Sequence, residues 1–147
     1  MDNLISFLGL VNKAGRLSIG EEPVGASCRA RKASLLVLAT DAAENSVRRA
    51  KHFSEAGQCL CLTLPLNKAQ LGQASGRSSC AMAAIDDIGF AASLAKKLVA
   101  LDPDSYTDAH EALYEKAQKS LQRQKEKRTH EKKLARGKQK PWAFRSQ

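Results

Sequence analysis

The side chains of this chain with the most reactive chemistry are Cys28, Cys59, Cys61 and Cys80, the histidines His52, His110 and His130, and the adjacent carboxylates Asp86 and Asp87. Cys59 and Cys61 alternate inside "QCLCLTL", which puts both on one face of a strand. A zinc centre wants C-x-x-C pairs or histidines close to the thiols. The three histidines are scattered, so the preferred reading is buried small hydrophobes. Asp86 and Asp87 close an apolar run, where two carboxylates could hold a cation or act as acid and base. No further ligands accompany them, and capping of the following helix suits them better. The glycine-rich phosphate loops, the zinc-protease H-E-x-x-H and the nucleophile elbow G-x-S-x-G are absent from the sequence. No catalytic centre, metal site or cofactor is expected.

What remains is an acidic helix start in a basic protein, "LSIGEEPVGASCRA". The 147 residues hold 24 Lys or Arg against 15 Asp or Glu, a net charge of +9, which suggests a polyanion as partner. Gly20, Glu21 and Glu22 open a helix flanked by Lys13 and Arg16 before it and by Arg29, Arg31 and Lys32 after it. A helix N-terminus offers unpaired N–H groups to a phosphate or a base edge, and glutamates there can accept from base amino or imino groups. Acidic residues also favour any helix start through its dipole. Local chemistry leaves both readings open.

The elements that must position this edge follow from periodicity. Leu4, Phe7, Leu8 and Val11 recur at helical spacing up to Gly15. "RLSI" is a short strand, and "EEPVGASCRARKA" a second helix that tolerates Pro23 in its first turn. "ASLLVLAT" reads as a strand buried on both faces, hence central in a sheet. Helix three is entered at Thr40 or Asp41 and stopped at Gly57, and strand "QCLCLTL" follows. Asn67 caps a short helix, "CAMAAIDD" supplies a fourth strand, and Phe90, Leu94, Leu98 and Leu101 stripe the next helix. This alternation predicts a three-layer α/β/α domain over residues 1–101.

Residues 102–147 read as a basic extension, helical at first and then disordered. Tyr106, Ala109, Leu113, Ala117 and Leu121 form a stripe that could dock on the domain or on a protein partner. Residues 119–147 carry eleven cations against two carboxylates, a composition that cannot fold alone but can order on phosphates. Trp142 and Phe144, interleaved with Lys140 and Arg145, could stack on bases or pack on the domain. No apolar run spans a bilayer and no export signal is visible, so the cytoplasm, with reduced thiols, is the expected compartment.

Three blocks, "LGLVNKAGRLSIGEEPV", "ASLLVLATDAAENSVRR" and "LNKAQLGQASGRSSCAMAAIDDIGFAASL", in this order and over residues 3–100, resemble the L-seven-Ae / L-thirty-e ribosomal protein family, especially its small bacterial YlxQ-type members. The resemblance implies an α/β/α sandwich around a four-stranded mixed sheet and a noncatalytic binder of structured RNA, ribosomal RNA and kink-turns among its targets. It implies that Gly20 brings backbone close to RNA, that Glu22 reads sheared guanines with Glu21 beside it, and that the loop Gly76–Cys80, with Arg77 and Ser78, covers a flipped-out nucleotide. Lys13 and Arg16 fit phosphate contacts, Lys68 lies on the same RNA edge as Arg77, and Asp41 caps helix three. Pro23 and Ala26 depart from the family pattern, each removing a contact. The alternative is a protein-interaction scaffold docking through residues 106–121, with RNA touched only by the basic tail.

Overall fold

The computed structural model describes residues 2–139. Its elements run α1 (Asp2–Lys13), β1 (Leu17–Ile19), α2 (Glu21–Arg29), β2 (Leu35–Leu38), α3 (Glu44–Gly57), β3 (Leu60–Thr63), α4 (Lys68–Ser75), β4 (Met82–Ile85), α5 (Ile88–Leu101) and α6 (Pro103–Gln139). The four strands form one mixed sheet in the order β1-β4-β2-β3, with β2 parallel to β3 and β4 antiparallel to both its neighbours. This is the expected α/β/α sandwich.

Strand residues alternate between two cores, as a two-residue side-chain period requires. Leu35, Val37, Ala83 and Ile85 face the layer built from α1, α4, α5 and α6, while Leu36, Leu38, Met82 and Ala84 face α2 and α3. Every residue of β2 and β4 is buried, so these strands are central, in keeping with their unbroken apolar runs. Cys59 and Cys61 do share a face, packing half-buried against the α2–α3 core beside buried Cys28. Burial pushes the Cys28 thiol up to about 12 and the Cys61 thiol up to about 11. These groups behave as small hydrophobes with protons held on.

Helix α3 ends at Gly57 as the sequence suggests, but its start falls elsewhere. Helix α3 starts at Glu44, and its N-cap Ala43 supplies no side-chain bond. Asp41 is engaged across the fold instead: its Oδ1 accepts from the Lys68 N–H at 2.7 Å, so it secures the start of α4. Gly57 does not terminate α3 by a left-handed turn but is its last helical residue. A Cβ there would stand 3.0 Å from both Cβ and O of Cys28, so the missing side chain lets α3 close on α2, and Gln58 takes the left-handed conformation at φ 54°. Asn67 caps α4 in a reciprocal capping box with Gln70. Asp87 caps α5 through the Phe90 N–H, whereas Asp86 accepts from the hydroxyls of Ser18 and Ser27 and ties β1 and α2 to the end of β4.

Helix α6 docks part of the stripe over residues 106–121 on the domain. Tyr106 and Leu113 are buried in the same core as α1 and α5, and the Tyr106 hydroxyl donates to the Thr63 carbonyl at 2.5 Å. Tyr114 and Leu121 stay exposed. From Leu121 to Lys132 every residue is exposed, yet the helix continues to Gln139, about 55 Å from its start at 1.5 Å per residue. Lys140, Trp142, Phe144 and Arg145 lie outside the described residues.

Candidate nucleic-acid interface

At the junction of β1 and α2 the chain needs a sharp turn with no side chain. Gly20 adopts φ 89° and ψ 168°, a conformation essentially confined to glycine. Its N–H donates to the Met82 carbonyl at 3.2 Å, and its own carbonyl accepts from Val24 N–H at 3.0 Å. Of the amides in the first turn, those of Glu21 and Glu22 carry no intrahelical partner, and Pro23 has none to offer. Among the described residues these two N–H groups at the tip of helix α2 have no partner, and the exposed Glu22 carboxylate lies beside them.

The loop after α4 folds back onto this tip. Gly76 ends α4 at φ 77°, the Arg77 N–H returns to the Gly72 carbonyl at 2.8 Å, and the Cys80 N–H reaches the Lys68 carbonyl at 3.0 Å. Gly72 makes the close approach possible, since a Cβ on it would meet Ser79 N at 2.7 Å and Arg77 O at 2.8 Å. The Arg77 guanidinium then lies over Gly20, with one Nη 3.4 Å from where a Cβ would stand. Gly20, Glu22, Lys68, Arg77 and exposed Ser78 thus share one end of the sheet.

Glu21 sits differently from Glu22. Its carboxylate is paired with Arg49 of α3 in a partly exposed ion pair. Arg49 belongs to a stripe that sequence reasoning missed: Asn45, Arg48, Arg49 and His52 line a shallow depression of about 390 Å³ on the exposed face of α3. Their spacing of three, four and seven residues was the available signal, but only the packing of α3 against α2 places that stripe beside Gly20.

Lys13 and Arg16 are both exposed, but they stand at the other end of β1. The Arg16 carbonyl accepts from the Asp86 N–H at 2.8 Å, at the far end of β4 from Met82. Four residues of extended chain, about 13 Å, separate Arg16 from Gly20. The two groups of cations face different ends of the sandwich.

Among the described residues no three or more His, Cys, Asp or Glu side chains are grouped to hold a metal ion, and no helix is long and apolar enough to cross a membrane. The remaining chemistry is that of a polar, cationic edge built on rigid elements, able to accept hydrogen bonds at Glu22, donate them from two amides and attract phosphates.

The structure defines a small α/β/α sandwich domain with a glycine-opened helix and a cationic loop at one sheet end. Its relatives narrow that class. The chain is 32% identical over 87 residues to the RNA-binding protein YlxQ of Enterococcus faecium, a match spanning 59% of this chain and 82% of that protein. A solved structure of a protein of unknown function from Bacillus halodurans C superposes with a TM-score of 0.58 at 27% identity, over 63% of this chain and 93% of the other. The 15.5kD RNA-binding protein of Giardia lamblia superposes with a TM-score of 0.52 over 67% and 86% of the two chains, and at 20% identity that likeness is one of fold. No family model matches the sequence. The chain belongs to the L-seven-Ae / L-thirty-e type of RNA-binding proteins.

Proposed function

We propose that this protein is a noncatalytic, YlxQ-type binder of structured RNA that works in the cytoplasm through the edge at Gly20, Glu22, Lys68, Arg77 and Ser78. The observation that carries this reading is the seat of the Arg77 guanidinium over Gly20, 3.4 Å from where a side chain would begin. It joins the covering loop and the α2 tip into one surface on which a base edge can meet Glu22 while the backbone phosphates meet cations. Arg48 and Arg49 extend the positive rim, and Glu21 acts on RNA through Arg49. Residues 1–101 carry recognition, and the extension over 102–147 adds sequence-independent affinity. Kink-turns, with their sheared G·A pairs, and ribosomal RNA are the first targets to test.

Titration of a kink-turn RNA and a matched straight duplex at several salt concentrations tests the proposal. Preference for the kink-turn, lost in Glu22→Ala and weakened in Arg77→Gln, is the expected result. Equal affinity for both RNAs removes kink-turn recognition, and no salt-dependent binding of either removes the function. Truncation after Leu121 keeps Tyr106 and Leu113, the residues of α6 buried in the core, and the residues from Leu121 to Lys132 are all exposed. If the truncated chain loses all RNA binding, the tail alone makes the contact and the scaffold reading replaces this one.

A further inference from the structure

A second cationic feature lies at the sheet end opposite the α2 tip. Helix α2 and helix α3 both finish there in left-handed residues that are not glycine, Arg31 at φ 57° and Gln58 at φ 54°. The Arg31 guanidinium reaches the Gln58 side-chain carbonyl at 3.4 Å. Across from them runs α6, which presents Lys116, Lys119 and Arg123, and the space between is a groove of about 640 Å³. Its floor is formed by Ala33, Cys59 and Ile88, and none of its lining residues is acidic. Among the described residues none of these four cations makes an ion pair.

The arrangement has a directional character that a general surface charge lacks. Lys116, Lys119 and Arg123 fall at i, i+3 and i+7, on one face of α6, and Lys127 continues the row one turn further. From Lys116 to Lys127 the row covers about 16 Å of helix axis. Asp108, Glu111 and Glu115 line a different surface depression of the same helix, outside the groove. A line of cations along an open groove fits an extended polyanion better than a single small anion. The groove residues Ser34 and Cys59 precede β2 and β3 and Ile88 follows β4, whereas Lys68 and Arg77 adjoin the opposite strand ends. The strands of four residues hold the two surfaces at least about 13 Å apart. Lys13 and Arg16 stand at the groove's end of the sheet.

We propose that this groove is a second RNA site, which takes the phosphate backbone of a stem lying away from the segment held at the α2 tip. The inference rests on the RNA-binding reading above and deepens it. The protein spans two segments of one folded RNA, reading one at Gly20 and Glu22 and holding the other by charge alone. Binding at the groove is independent of sequence and sensitive to salt, since phosphate contacts position without specifying.

The test uses the full chain and two kink-turn RNAs, one with long stems and one with stems cut to a few base pairs. The expected result is tighter, more salt-dependent binding of the long-stem RNA. In the combined variant Lys116→Gln, Lys119→Gln and Arg123→Gln, the slope of log affinity against log salt for that RNA falls by about 2 to 3, the share of three phosphate contacts. The advantage of long over short stems closes with it. These three side chains are exposed, so the variant keeps its fold, checked by its unfolding temperature. A slope and an affinity unchanged in the variant overturn the groove proposal, and if Arg77→Gln still weakens binding, the α2 edge survives alone. Failure of the unmodified chain to bind either RNA overturns both. Acetylation mapping supplies a second readout: long-stem RNA protects Lys116 and Lys119. Equal protection by inorganic pyrophosphate overturns the assignment to RNA backbone.

Discussion

Gly72 couples the fold to the proposed RNA edge most directly, and Gly72→Ala tests that coupling. The added methyl would stand 2.7 Å from Ser79 N, 2.8 Å from Arg77 O and 2.9 Å from Ser79 Cα, all backbone atoms. Ordinary contact begins near 3.4 Å, so the loop must retreat by about 0.7 Å, the difference between 3.4 and 2.7. The 2.8 Å bond from Arg77 N–H to the Gly72 carbonyl lengthens with it. Alanine is better than glycine inside a helix by about 1 kcal/mol, whereas overpacking costs about 1–3 kcal/mol. The net destabilisation is about 0–2 kcal/mol, which lowers the unfolding temperature by up to about 8 °C. RNA binding should fall further, by about tenfold, because the displaced loop withdraws Arg77 and one contact of about 1.4 kcal/mol is lost. Thermal unfolding and RNA titration of the same preparation measure the two effects, and amide NMR shifts of Arg77 to Cys80 report the loop. A Gly72→Ala variant with unmoved loop shifts, wild-type affinity and wild-type stability would refute the reasoning.

Other substitutions probe the remaining links. Asp41→Ala removes the acceptor of the Lys68 N–H and should cost about 1 kcal/mol, the worth of a helix-start hydrogen bond. Amide exchange should quicken in the first turn of α4 and not in that of α3, the reverse of what an α3 cap would show. Tyr106→Phe deletes the bond to the Thr63 carbonyl and should lower stability by about 0.5–1.5 kcal/mol in denaturant titration, with RNA affinity unaltered. The raised Cys28 and Cys61 thiols retain their protons to higher pH when folded than when unfolded. Their contribution to stability is therefore complete at neutral pH and is lost as pH climbs from the ordinary thiol range toward about 12. Alkylation of native protein at pH 8 should leave Cys28 unreacted, and rapid labelling there would contradict the burial.

Much of the sandwich was legible because its signals are local. The unbroken run of β2 marked a strand buried on both faces, and the alternation of Cys59 and Cys61 placed them together. The capping box at Asn67 needed only residues three apart. Boundaries set by distant partners were not legible. Asp41 looked like the cap of the helix that follows it, because nothing in "LATDAAEN" reveals that the Lys68 amide lies beside its carboxylate. Gly57 does end α3, but nothing near it in sequence reveals that it also lies against Cys28.

The candidate site divides the same way. Composition and periodicity by themselves determined a basic α/β/α protein with an acidic helix start at Gly20, since charge counts and hydrophobic periods are properties of neighbouring residues. Tertiary structure alone decided which cations stand with that start. Arg77 comes from 57 residues away to lie over Gly20, Arg49 claims Glu21, and Lys13 and Arg16, close in sequence, end at the other pole of the sheet. The cause is strand β1, whose extended residues separate sequence neighbours while its pairing with β4 brings remote loops together.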